Sequence, residues 1–135
     1  MYDKILVPLA LDNEHPAGPS LEIAKRLLNE GGQITLLHVM EALPEYVMQH
    51  IGEAQRTSQR DAVEAELKAE AAEIPGGKAA LLTGKAGRSI VEHAKHHGSD
   101  CIVIASHRPG MQDYLLGSTA ARVVRHAPCA VHVLR

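Results

Sequence analysis

Apolar residues along this chain fall into two alternating kinds of run. Continuous apolar stretches occur at Lys4 to Leu9, Gln33 to Met40, Lys78 to Thr83, Cys101 to Ala105 and Ala130 to Leu134. Cys101 to Ala105 lacks the polar alternation of a strand with one wet face, so it reads as a central strand covered on both sides, as parallel sheets require. Between these stretches the apolar positions recur at helical spacing. Pro19 suits a first helical position, and Leu21, Ala24, Leu27 and Leu28 make a stripe that Gly31-Gly32 is expected to end. Glu53 to Glu73 is rich in strong helix formers, with Val63, Leu67 and Ala71 on a weakly apolar face. Gly84 to Gly87 is a tight passage into a helix with Ile90, Val91 and Ala94 inside and Gly98 as its stop. Gly117-Ser118-Thr119 opens the last helix, whose stripe is Ala120, Val123, Val124 and Ala127 and whose stop is Pro128. Glu41 to Gly52 contains Pro44 and has no readable conformation.

The order β-α-β-α-β-α-β-α-β predicts one α/β domain over residues 1–135, an open five-stranded parallel sheet with helices on both faces and right-handed crossovers. Lys78 to Thr83 is expected as an outer strand. In such sheets ligands sit beyond the carboxyl ends of the strands, where the strand order reverses. The segments that meet there are the loop after Pro8, the end of the second strand near Val39, the loop from Ser106 and the helix start at Gly117. Backbone groups near Val39 suit a base edge, and His107, Arg108, Ser118 and Thr119 offer donors to phosphates. The first amides of the last helix lack partners within it, and the aligned peptide dipoles favour an anion there. Ser and Thr also serve as ordinary N-caps, and the pattern by itself leaves both readings open.

Composition narrows the partners. The formal net charge of −2 gives no basic stripe, and with three Tyr and neither Phe nor Trp there is little for bases to stack on, so nucleic acid is not expected. No apolar run approaches the roughly 20 residues that cross a bilayer, and Met1-Tyr2-Asp3-Lys4 leads straight into a strand; no membrane partner and a cytoplasmic location are expected. Cys101 and Cys129 each begin an apolar run and read as buried thiols, with a redox pair across neighbouring strands as the alternative.

Several chemistries fail on spacing. Gly84-Lys85 comes nearest to a phosphate-binding P-loop, but Ala79 and Ala86 replace its first Gly and its metal-holding hydroxyl. No G-x-G-x-x-G follows Pro8, and the strand ends Ala10, Met40 and Ala105 offer no acidic cluster. His93, His96 and His97 read as surface histidines, since only His93 and His97 share a helix face. Ser118 with His126 or His107 lacks a nucleophile elbow and an orienting Asp.

The segments KILVPL, QITLLHVM, Gly84 to Asp100 and ASHRPGMQDYLLGSTAARVVRHAPCAVHVLR together resemble the universal stress protein family over nearly the whole chain. ASHRP, then YLLGS, then VVRHAPC with an apolar last strand, closely resembles its F-type branch of single-domain members. The resemblance implies a Rossmann-like, adenine nucleotide alpha hydrolase-like sheet of order 3-2-1-4-5. It also implies binding of ATP, or of ADP or AMP, with or without Mg2+, and a homodimer formed by pairing the last strand with its copy. The family's G-x2-G-x9-G-[S/T] pattern is altered, with Ala105 and Arg108 at its first two glycines and eight residues between Arg108 and Gly117-Ser118. The family's Pro-x-Asp appears as Pro8-Leu9-Ala10, with Asp12 two residues on. Carried over residue by residue, Pro8 and Val39 flank the adenine, Val39 through backbone hydrogen bonds, Leu9 and Ala10 belong to the same nucleotide site, and Ile104 and Ala105 pack on base and ribose. Ser106, His107, Arg108, Gly117, Ser118 and Thr119 face the phosphates, and Gly110 restores flexibility to the loop. Arg108 trades close backbone approach for a fork of charged donors.

The reading is a nucleotide-dependent stress-response sensor with no catalytic residue and no resident metal assigned. One rival is a dimeric interaction protein that binds no nucleotide, its pocket disabled by Ala10, Ala105 and Arg108; the other is a slow ATPase needing His107 or Asp113 as base.

Overall fold

The computed structural model describes residues 1–11, 17–106 and 116–135. Its elements run β1 (Tyr2–Pro8), α1 (Gly18–Leu27), β2 (Leu28–Met40), α2 (Glu45–Met48), α3 (Glu53–Ala72), β3 (Gly77–Thr83), α4 (Ala86–His97), β4 (Cys101–Ala105), α5 (Ser118–His126) and β5 (Ala130–Leu134). The strands form one five-stranded sheet in the order β3-β2-β1-β4-β5, and every adjacent pair is parallel. The strand order reverses between β1 and β4, as the family resemblance implied.

Alternate residues of each strand serve opposite faces. Ile5, Val7, Ile34, Leu36, Cys101 and Val103 pack with Ala24 of α1 and Leu67 and Ala71 of α3. Leu6, Leu37, Ile102 and Ile104 pack with Ile90 and Ala94 of α4 and Ala120 and Val123 of α5. This two-sided burial is why the strands are apolar runs rather than alternating ones. α3 adds its 20 residues on the strength of Leu67 and Ala71, which are buried, while most of its surface is wet. α4 ends as expected at Gly98, which takes the left-handed conformation at φ 67° that a side chain disfavours.

Two expectations are corrected. Gly31-Gly32 does not end the first helix: α1 stops at Leu27, and both glycines lie within β2. The Met1 ammonium donates to the Leu27 carbonyl at 3.0 Å and to Asn29 Oδ1, so the last carbonyl of α1 is capped from outside the helix. The pairing then passes from Tyr2↔Leu28 to Lys4↔Gln33, an irregularity that β2 absorbs with extra residues. Gly31 turns there at φ 79°, and a Cβ on Gly32 would lie 3.0 Å from the Asp3 carbonyl oxygen. The second correction is Val124, which is exposed; α5 buries Ala120 and Val123 alone. The 41–52 connection, unreadable in the sequence, contains α2, a single turn begun after Pro44.

Candidate functional site at the carboxyl ends of β1 and β4

Pairing between β1 and β4 stops short at one proline. Leu9 N–H donates to the Leu37 carbonyl at 2.8 Å, whereas the Lys4 carbonyl accepts from Asp100 N–H at 2.9 Å. From Lys4 onward, backbone groups of odd-numbered β1 residues therefore point to β2 and those of even-numbered residues to β4. Pro8 falls on the β4 side and has no N–H to give. Registered pairing between the two strands accordingly consists of Ile5↔Cys101 and Leu6↔Ile102, although β1 continues to Pro8 and β4 to Ala105. At the opposite end the Asp100 carboxylate accepts from the amides of Asp3 at 2.8 Å and Lys4 at 2.9 Å, which fixes where the seam begins.

The same alternation orients Val39. Leu37 faces β1 through its carbonyl, and Met40 accepts from Gly84 N–H on the β3 side at 2.9 Å. The N–H and C=O of Val39 thus point toward β1 beyond the place where that strand has ended, and neither has a partner among the described residues. The Leu9 carbonyl, which would otherwise extend the ladder, accepts a 2.7 Å hydrogen bond from His38 Nδ1. This histidine was missed in the sequence; its position one residue before Val39 is the only available signal. Beyond Leu9 the chain passes Ala10, which is exposed, and Leu11, which is left-handed at φ 54°. That conformation costs a non-glycine residue roughly 1 to 2 kcal/mol, and half-burial of Leu11 against the α1/α3 side of the core offsets it.

On the β4 side of the seam, Ser106 joins three elements. Its N–H donates to Leu134 of β5 at 2.8 Å and its carbonyl accepts from Gly117 N–H at 2.7 Å. The Gly117 amide is therefore committed, and the helix-start donors begin at Ser118. Ala121 makes the first intrahelical bond, to the Gly117 carbonyl at 2.8 Å. No side chain caps this helix end, so the amides of Ser118 and Thr119 meet no cap from the protein among the described residues. Gly117 sits at φ −58°, ψ 154°, which any residue adopts; what glycine removes is a Cβ at the mouth of the helix.

The sheet thus brings Pro8, Ala10, Val39, Ala105, Ser106, Gly117, Ser118 and Thr119 to one rim. Leu9 and Ile104 lie at the same level with their side chains in the core, 9% and 4% exposed on opposite faces, so their contribution to a rim is through the backbone. His107, Arg108 and Gly110 lie outside the described residues, as do Asp12 and Asp113. A separate surface depression of about 600 Å³ follows one face of α3, lined by Glu53, Ala54, Thr57, Ser58 and Asp61. Its two carboxylates suit it poorly to a phosphate.

Neither cysteine belongs to the rim. Cys101 packs on the α1/α3 side and Cys129 on the α4/α5 side, and both thiols are free. Burial pushes the Cys101 thiol up to about 11, with smaller contributions from Cys129 and Asp100. Burial, and then the neighbouring His97, hold His93 below the usual histidine range.

Comparison with known proteins agrees with this architecture. The universal stress protein A homolog 2 of Coxiella burnetii is 37% identical over 142 residues, an alignment covering 99% of this chain and 95% of that protein. The universal stress protein UspA from Lactobacillus plantarum superimposes with a TM-score of 0.72 at 26% identity, over 99% of this chain and 98% of that one. A universal stress protein from Archaeoglobus fulgidus, solved in complex with dAMP, shares the fold with a TM-score of 0.65 at 18% identity, over 99% and 98% of the two chains. The sequence pattern described as the universal stress protein family matches residues 1–135, end to end, and this chain belongs to that family.

Proposed function

We propose that the rim at the carboxyl ends of β1 and β4 binds an adenine nucleotide, ATP foremost, and that the protein acts as a nucleotide-responsive regulator in the stress response. One observation carries the reading: a backbone N–H and C=O at Val39 and the amides of Ser118 and Thr119, without partners among the described residues, lie along the carboxyl-end rim of the same sheet. Adenine offers an amino donor and a ring-nitrogen acceptor side by side on one edge, complementary to the Val39 carbonyl and amide. A phosphate suits the amides and hydroxyls of Ser118 and Thr119 and the positive end of α5. Arg108 would add a guanidinium to the same oxygens. The complex of the Archaeoglobus fulgidus relative with dAMP supports the choice of an adenylate.

The rim does not fit a metal at the family's acidic position. Ala10 stands where Pro-x-Asp would place a carboxylate, and Mg2+ is not part of the proposal. A homodimer is part of it. The Leu134 carbonyl faces β4, so by alternation Val131 and Val133 turn their amides and carbonyls outward along an edge that no other described strand pairs with, ready to pair with a second copy.

Calorimetric titration of purified protein with ATP, AMP and GTP tests the binding, with phosphate release followed in parallel. ATP and AMP are expected to bind and GTP to bind more weakly. Absence of heat or of any stability change at millimolar ATP would overturn the proposal in favour of an interaction protein without nucleotide. Sustained phosphate release would make the protein an ATPase.

A further inference from the structure

The last turns of α4 carry two histidines four residues apart, His93 and His97, whose rings lie 4.0 Å apart between centroids and within 12° of parallel. His97 Nδ1 lies 3.0 Å from the His93 carbonyl oxygen, which can only accept, so Nδ1 carries the proton and Nε2 keeps its lone pair. Metal-binding histidines are oriented in this way, with the second ring nitrogen donating to a backbone carbonyl. His93 Nδ1 is buried with no hydrogen-bond partner among the described residues, so none of them holds this ring through that nitrogen. His97 is the final helical residue, where the negative end of the helix dipole favours a cation. The near-parallel rings hold their nitrogen lone pairs side by side, so chelation of one ion at about 2.0 to 2.1 Å requires both rings to turn out of the stack about the soft terminal torsion of histidine.

We propose that His93 and His97 form a two-imidazole chelating site for a late first-row divalent ion, tightest for Cu2+ and weaker for Ni2+ and Zn2+. Among the described residues no third His, Cys, Asp or Glu completes a metal cluster with them. Water fills the remaining positions, and the ion exchanges readily. Neighbouring side chains leave the site to the two rings: Glu92 is paired with Arg88 at 3.1 Å, and His96 and Lys95 project from other faces of the helix. The site stands independently of the nucleotide reading. α4 runs antiparallel to the strands, so its last turn lies at the amino end of the sheet, opposite the rim.

The test is titration of full-length, tag-free protein with CuCl2, NiCl2 and ZnCl2 by calorimetry, with histidine ring resonances followed by NMR. One ion per chain is expected, with the His93 and His97 resonances perturbed first. His97→Ala changes an exposed side chain and is expected to weaken binding by at least about 10-fold, while His96→Ala leaves it unchanged. His93→Ala, checked for folding by circular dichroism, is expected to match His97→Ala. Equal affinity in wild type and His97→Ala, loss in His96→Ala, or no saturable binding up to millimolar metal would each overturn the proposal.

Discussion

Replacing Ser118 by proline removes one amide from the proposed phosphate cradle while leaving the helix intact. Ser118 is the first residue of α5, where the ring's fixed φ is already helical and no intrahelical bond is lost. The preceding residue must be extended, and Gly117 already is, at ψ 154°. The variant should therefore melt at or slightly above the wild-type temperature. Ser118→Ala supplies the reference, since it removes the hydroxyl and keeps the amide. A hydrogen bond to a charged group contributes about 1.5 to 3 kcal/mol, so Ser118→Pro should bind ATP roughly 10- to 150-fold more weakly than Ser118→Ala. Calorimetry gives both affinities and thermal melts followed by circular dichroism check the fold. Equal affinity in two well-folded variants would show that the amide of Ser118 does not touch phosphate, and the cradle as drawn would be wrong.

Other expectations address the edge strand, the core and pH. Val133→Pro removes an outward-facing amide from β5 without taking a bond from the β4 ladder, so light scattering should report a monomer for the variant and the proposed dimer for the wild type; an equal mass for the two would overturn pairing through β5. Leu67→Ala should lower unfolding free energy by about 2 to 5 kcal/mol in urea titration, because this fully buried side chain anchors α3 to the sheet. The raised thiol of Cys101 means that the fold favours its protonated form. The associated stability is complete below the unfolded-state value near 9 and is lost as pH rises toward about 11, by up to about 3 kcal/mol. Cys101→Ala should flatten the alkaline slope of stability measured by denaturant titration.

The parts of the fold legible from sequence were those written in burial. Each strand packed on both faces shows as an apolar run, and Gly98, Pro128 and the helical stripes mark ends that sterics alone determine. Gly31-Gly32 misled because a glycine pair serves a bulge as readily as a helix stop; what separates the two is the Met1 amine reaching Leu27, a contact between residues far apart in sequence. Val124 misled because helical spacing cannot say how wide a stripe the neighbouring sheet will cover. At the rim, Pro8, Val39 and Ser118 were found from strand ends and a helix start, but which of their backbone groups are unpaired depends on strand alternation and on His38 closing over Leu9. Such pairing is invisible until the register is known.

The brevity of the seam between β1 and β4 has a mechanical consequence. Within the sheet, two registered pairs moor a raft of three strands to a raft of two. A molecule lying over both strand ends ties a second knot beyond the first, where Pro8 left the line slack. Under the proposed binding, occupancy would be felt as stiffening between the rafts, and a partner that straddles them would sense a full site without touching what fills it.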